Sequence, residues 1–262
     1  SAFSLPTKEL TYTVLNCPEF PGLLIDAGKE TFCKVEFDFI PDDSVSVIRY
    51  GESLEEAKSP EAIVSQLLTQ EGHYLLPTRA FRYIGILGGH AKNIKLHFEY
   101  LPIEQKGRFA CSDPLLNQIQ QTSEYTLFLN SREFFLDGLK RDRWVWSGDA
   151  CQSYLLNYYS FFDLDINRRT MVALAGRGVW TRHINSILDY SFYWLIALDQ
   201  YYLYTGDLDF VSRIWPRAVS LIDFCLSRLD ENGLAIGRHG DWVFVDWSDM
   251  DKTGAVCAEQ ML

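Results

Sequence analysis

Two different periodicities divide this chain. Up to about Leu101, apolar and polar positions alternate, as in Cys33-Lys-Val35-Glu-Phe37-Asp-Phe39 and Ile94-Lys-Leu96-His97-Phe98-Glu-Tyr100, with 44–50 and 81–87 as further segments of the same kind. A period of two sends successive side chains to opposite faces, so these segments are predicted to be half-buried antiparallel strands. Pro41-Asp42-Asp43, Gly51 and Gly88-Gly89 supply the turns between them. The first hundred residues therefore read as part of a β-sandwich or jelly roll. His73, His90 and His97 fall singly here and are expected to be surface or satisfied histidines.

After Gly107 the period lengthens to that of helices. Ser112-Asp113-Pro114 places a capping side chain ahead of a proline at the first helical position, and Leu115, Leu116, Ile119 and Leu127 follow as a stripe. Further helices are predicted from Cys151 to Phe162, from Asp189 to Tyr204 and from Leu208 to Leu229, the last two ending at Thr205-Gly206 and near Asn232-Gly233, with about five expected in all. Residues 154–162 and 190–198 are apolar almost all round, so those helices should be covered on two sides, as in the concentric layers of an α/α toroid. The last stretch, Gly254 to Leu262, begins a helix-compatible apolar segment and stops without a cap. A closed ring needs about twice the visible helices, so the expectation is that further chain completes it.

Composition narrows the functions. There are 24 basic and 35 acidic side chains, a net charge of −11, and no Lys/Arg-rich tract, which disfavours nucleic acid and anionic membranes as partners. Seven Trp, fourteen Tyr and seventeen Phe offer many stacking surfaces, although most must serve the core. Cys17, Cys33, Cys111, Cys151, Cys225 and Cys257 show no C-x-x-C pair and no metal-ligand spacing, and they read as small core residues. No metal site and no organic cofactor is expected. No apolar run is long enough to span a bilayer, so the chain reads as soluble, with the compartment left open.

One segment stands apart. Asp137-Gly-Leu-Lys140-Arg141-Asp142-Arg143-Trp144-Val-Trp146-Ser-Gly148-Asp149 sets three carboxylates, three cationic groups and two indoles between apolar runs. Exposed surfaces rarely carry paired Trp and dry cores rarely carry Asp and Arg, so the mixture suits a concave site where polar groups meet aromatic walls. A pyranose has an apolar face for indole and a hydroxyl rim for carboxylate and guanidinium, which makes carbohydrate chemistry the leading reading. A helix N-cap at Gly148-Asp149 with a surface ion-pair lattice is the structural alternative, but it explains neither Trp146 nor the 140–143 run.

Gly107-Arg-Phe-Ala-Cys-Ser-Asp-Pro-Leu-Leu-Asn117 followed by Asp137-x-x-x-Arg141-Asp142-Arg143-x-x-Trp146-x-Gly148-Asp149 resembles glycoside hydrolase family 78, the bacterial α-L-rhamnosidases. Arg79 to Gly85 resembles the strand with which that family's sandwich meets its catalytic domain, and Val245-Asp246-Trp247 resembles a later site loop. The resemblance covers roughly residues 75–262. It implies a multidomain β plus all-α chain: a β-sandwich domain over 1–106, the C-terminal part of an antiparallel β-sandwich, then the first half of an (α/α)6 toroid over 107–262.

The same resemblance implies an inverting hydrolase that releases terminal α-L-rhamnose, or a related deoxy sugar, from oligosaccharides or glycosides. Asp137 and Asp149 would hold sugar hydroxyls, Arg141 would hold a hydroxyl or orient the neighbouring acid, and Trp146 would form part of the pocket wall. Asp246 and Trp247 would close another side. Asp142 stands where the family usually has the glutamate that acts as general acid, one methylene longer. The general base is expected beyond Leu262, so that this stretch alone would not turn over substrate. Two other readings remain: a polysaccharide lyase on the same toroid, with Tyr190, His183 or Lys140 as base, and a non-catalytic carbohydrate-binding protein.

Overall fold

A computed structural model of the protein describes residues 4–242. They fall into two compact units, one made of 4–102 with 138–143 and the other of 103–137 with 144–242.

The first unit is an antiparallel sheet. Its strands are β1 (Thr7–Leu10), β2 (Thr13–Leu15), β3 (Gly22–Pro41), β4 (Val47–Gly51), β5 (Val64–Leu67), β6 (Gly72–Leu75), β7 (Arg79–Leu87) and β8 (Gly89–Glu99), with helix α1 (Leu54–Lys58) between β4 and β5. The order is β1-β8-β3-β7-β4-β5, with β2 and β6 also pairing with β3. β3 pairs with four other strands, because its twenty residues are long enough to serve different neighbours along their length. Its first part pairs with β2 and β7, its last part with β8 and β6. The alternation read from 33 to 39 has its physical counterpart here: Cys33, Val35, Phe37 and Phe39 are fully buried while the residues between them are not. Phe37 stacks on Tyr74 of β6 with ring centroids 5.4 Å apart. On the outer face His97 Nε2 lies 2.5 Å from Glu36 and His73 Nδ1 lies 2.9 Å from Asp38, so both histidines are satisfied by carboxylates.

The alternation breaks at Asp26, and the structure places a register shift between Asp26 and Thr31, with Gly28 at φ +85 and its N–H held by Asp26 Oδ1 at 2.7 Å. This bulge carries Glu30 away from the ladder. Beside it, Phe20, Leu24 and Ala57 form a small core cluster to which Leu54 and Tyr83 also pack, seating α1 on the strands.

The second unit is helical: α2 (Pro114–Asn130), α3 (Ser147–Tyr159), α4 (Leu164–Ala175), α5 (Leu188–Thr205) and α6 (Leu208–Leu226). Asp113 caps α2 by accepting from the Leu115 N–H, with Pro114 at the first helical position, as the sequence predicts. Gly206 ends α5 in the left-handed conformation at φ +64. α3 and α5 pack face to face around the fully buried Tyr154, Trp194 and Tyr201. Trp194 donates its indole N–H to the Met171 carbonyl of α4 at 3.0 Å, so the largest buried side chain also has its polar atom satisfied.

Cys33, Cys151 and Cys225 are buried, Cys17 is half-buried and Cys111 exposed, and none of these five is disulfide-bonded; Cys257 lies outside the described residues. No described helix is long and apolar enough to cross a membrane.

Candidate functional site

Within the helical unit, Asp137 and Asp149 open onto one concavity of about 420 Å³. α2 contributes Thr122, Ser123, Thr126, Leu127 and Asn130, and α3 contributes Asp149, Gln152, Ser153 and Leu156. Thr122, Thr126 and Asn130 recur every four residues and so form a polar stripe along the α2 face that lines the concavity. That stripe is the one sequence signal by which this wall was open to detection. The volume lies within the range of small-molecule pockets, and the lining mixes carboxylates, hydroxyls and amides with three aliphatic side chains.

Asp149 reaches this position because α3 begins where it does. The N-cap position is Trp146, which offers no capping side chain. Asn185 does that work from another part of the chain: its Oδ1 accepts from the Ser147 N–H at 2.9 Å and its Nδ2 donates to the Val145 carbonyl at 3.0 Å. Asn185 sits at φ +53 and Ser186 at φ +62, left-handed conformations that make the turn possible. Ser147 Oγ adds a bond to the Tyr190 carbonyl at 2.8 Å. Asp149 is thus freed from capping, and its carboxylate in the first turn faces the concavity while gaining from the helix dipole.

The Asp149 carboxyl is held above the usual carboxylate range, first because surrounding protein displaces water from it, then because the Asp137 charge is near. The Tyr190 hydroxyl opposes this by donating to Oδ2 at 3.4 Å. Tyr190 in turn is pushed up to about 12 by burial and by Asp149. Trp146 stands edge-on to Tyr190 with centroids 6.3 Å apart and so supports the ring that touches Asp149, without lining the concavity itself.

Asp137 closes a loop. Its N–H donates to the Trp144 carbonyl at 3.1 Å and its Oδ1 accepts from the Trp144 N–H at 2.9 Å. Residues 138–143, which hang from that closure, belong to the sheet unit. Arg141 and Asp142 are exposed side chains of that segment and are not among the residues lining the concavity. Asp246 and Trp247 lie outside the described residues.

The three groups considered as lyase bases are otherwise engaged. Lys140 is ion-paired with Glu56. His183 is buried against Ser191 Oγ at 3.0 Å and against the Phe224 ring, and burial lowers it to about 4, so it is neutral near pH 7. Tyr190 is committed to Asp149. Among the described residues no group of three or more His, Cys, Asp or Glu side chains has the geometry of a metal site.

Comparison with known proteins agrees with this picture. Residues 104–260 match the family described as the bacterial alpha-L-rhamnosidase 6 hairpin glycosidase domain. An alpha-L-rhamnosidase of Formosa agariphila is 29% identical over 196 residues, which are 64% of this chain and 20% of that protein. A rhamnosidase from Klebsiella oxytoca with rhamnose bound superposes with a TM-score of 0.74 at 23% identity, over 94% of this chain and 55% of that one. The family 78 rhamnosidase of Bacillus sp. GL1 superposes with a TM-score of 0.71 at 26% identity, over 92% of this chain and 28% of that one. The chain thus spans about a fifth of the curated relative it matches and roughly half or less of these solved structures. An antiparallel sheet followed by packed helices, the long Asp137–Asp149 motif and a family match over more than half its length place the chain in glycoside hydrolase family 78, the bacterial α-L-rhamnosidases.

Proposed function

We propose that this chain supplies the sugar-binding and proton-donating part of an inverting α-L-rhamnosidase acting on rhamnose-containing oligosaccharides or glycosides. The observation that carries the reading is the convergence of Asp137 and Asp149 on one concavity in a chain of this family, whose fold is shared by a Klebsiella oxytoca rhamnosidase with rhamnose bound. In this reading residues 1–106 are the end of a β-sandwich and 107–262 the first half of an (α/α)6 toroid. α6 supports the second part: Phe210, Ile214, Ala218, Leu221 and Cys225 are buried, while Trp215, Val219, Ile222 and Leu226, spaced four, three and four apart, form an exposed apolar stripe on another face. A helix apolar on two faces is built to lie between two layers.

Asp137 and Asp149 accept hydrogen bonds from sugar hydroxyls, and charge-assisted bonds of this kind are the strong ones. Arg141 binds a hydroxyl or orients the acid, Trp146 supports the Tyr190 ring that touches Asp149, and Asp246 and Trp247 would close another side, as the family resemblance implies. Asp142 is the general acid, protonating the glycosidic oxygen as the C–O bond breaks through an oxocarbenium-like state, while water attacks the opposite face with a second carboxylate as base. No cofactor enters this chemistry.

The test uses the intact enzyme with α-L-rhamnosides of graded leaving groups. Asp142→Asn is expected to cost about 10²- to 10⁴-fold in turnover of alkyl or glycosyl rhamnosides and far less for p-nitrophenyl rhamnoside, which leaves without a proton. Equal losses on both would remove Asp142 from the role. Proton NMR of the first product reports inversion by the initial appearance of β-rhamnose, and initial α-rhamnose would contradict it.

A further inference from the structure

Asp142 stands on a segment that is fastened near both ends and free in the middle. Leu139 is buried, Lys140 grips both carboxylate oxygens of Glu56 and lies 3.6 Å from Glu52, and Arg143 donates to the Thr78 carbonyl at 3.3 Å. Between these anchors, the exposed Arg141 and Asp142 side chains make no hydrogen bond or ion pair with another described residue. Arg143 sits at φ +47, a conformation that a long side chain rarely adopts. The path of the segment is therefore imposed by its anchors and not by local preference.

Lys140 is the costliest of those anchors. Its side chain is only 10% exposed, and an ammonium so far out of water is tolerated when a carboxylate compensates it. Burial alone would raise the Glu56 carboxyl, but the bonds from Lys140 and from the Glu52 N–H outweigh it and hold the group below its ordinary range, ionised. Glu30, brought in by the β3 bulge, is pushed up to about 7 by burial and by the charge of Glu52, so Glu56 is the firmest counter-charge to Lys140.

Glu56 is itself rigidly placed. At the third position of α1 its N–H donates to the N-cap Ser53 Oγ at 3.1 Å and its Oε2 accepts from the Glu52 N–H at 3.1 Å, a close relative of the capping box. α1 presses on the sheet where only glycine fits, since a Cβ at Gly51 would lie 2.5 Å from the Ala57 nitrogen and one at Gly85 would lie 2.5 Å from the Ala57 oxygen. Backbone shifts in α1 are thereby suppressed, and Lys140 meets a fixed partner.

We propose that Glu56 is a positioning residue for Asp142, acting through Lys140 to set where the acid is presented. The proposal rests on Asp142 being the proton donor. Neither Glu56 nor Lys140 lines the concavity, so loss of the pair should weaken acid catalysis and leave sugar binding largely intact.

In the intact enzyme Glu56→Gln keeps an acceptor for the cap and removes the charge. Misplacing the acid by about 1 Å should cost alkyl rhamnosides roughly 10- to 100-fold in kcat, with little loss for p-nitrophenyl rhamnoside and rhamnose affinity within about twofold. The charge-swapped pair Glu56→Lys with Lys140→Glu should recover most of the loss. Lys140→Met, which removes the buried ammonium outright, is the second variant and carries the same leaving-group expectation if Glu56→Gln does not fold. Losses equal across the leaving-group series, or a fall in thermal stability with unchanged kinetics, overturn the proposal. Asp142→Asn run beside them separates the two ideas: if it lacks leaving-group dependence the acid assignment fails, and if it shows that dependence while Glu56→Gln does not, the positioning role alone fails.

Discussion

Gly148→Ala pits two opposed effects against each other. Gly148 is the second residue of α3, where alanine would ordinarily be better than glycine by up to about 1 kcal/mol. Against that, a Cβ at this position would lie 2.7 Å from Tyr190 Cε1 and 2.9 Å from Cζ. Carbon atoms settle at about 3.5–4.0 Å, so the ring must move by roughly 1 Å. It has little room, being 7% exposed and bounded by Trp146 at 6.3 Å and Tyr193 at 6.2 Å between centroids. Overpacking of this kind costs about 1–3 kcal/mol, which outweighs the propensity gain. A net loss of about 1–2 kcal/mol should lower Tm by about 2–8 °C in a unit of this size.

The functional cost follows from the same movement. The Tyr190 hydroxyl holds Asp149 at 3.4 Å, the outer limit of a hydrogen bond, and a ring displaced by about 1 Å releases it. Rhamnose affinity of the intact enzyme, measured by calorimetry, should then fall about tenfold. Gly138→Ala is the control within the same motif, because a Cβ there meets nothing within 4 Å, and it should stay within about 0.5 kcal/mol of the parent. A Gly148→Ala protein that melts no lower than its parent and binds rhamnose equally well would refute the claim that the glycine is required by Tyr190.

Two further outcomes follow from the charges. Tyr190→Phe removes the one side-chain bond that lowers Asp149, so its carboxyl should rise further and the acid limb of rhamnose binding should move to higher pH; an unmoved limb would show that the hydroxyl does not act on Asp149. Asp207 caps α6 and also accepts from Tyr201 and Arg168 at 2.7 Å, which holds it down at about 2. A depressed carboxylate stabilises the fold above its unfolded value near 3.8, and that contribution disappears as pH falls from there through about 2. Asp207→Asn should therefore melt several degrees lower at pH 7 and nearly level with the parent at pH 2, as followed by circular dichroism.

Much of the fold was legible because burial leaves a local record. α5 was expected over 189–204 and spans Leu188–Thr205, and α6 was expected over 208–229 and spans Leu208–Leu226, since a packed helix repeats its apolar face every three to four residues and is punctuated by caps. β8 and β7 were likewise visible as alternation, whereas β3 was read only in its second half because the bulge at Asp26–Thr31 interrupts the period. The short strands β1, β2, β5 and β6 and the five-residue α1 carry too few residues for a period to show. The motif stood out by its composition, and two of its residues, Asp137 and Asp149, line one hollow.

Other features needed the folded chain. Asn185 caps α3 from 38 residues away, Tyr190 reaches Asp149 across 41, and Glu56 anchors Lys140 across 84. Such pairs obey no period, because each partner is chosen by where the backbone has been carried and not by its neighbours in the chain. For the same reason nothing local distinguished Asp142, on a segment that belongs to the sheet unit, from Asp137 and Asp149 in the helical one. Periodicity reports which face of an element avoids water, and only packing decides which distant side chain that face will meet.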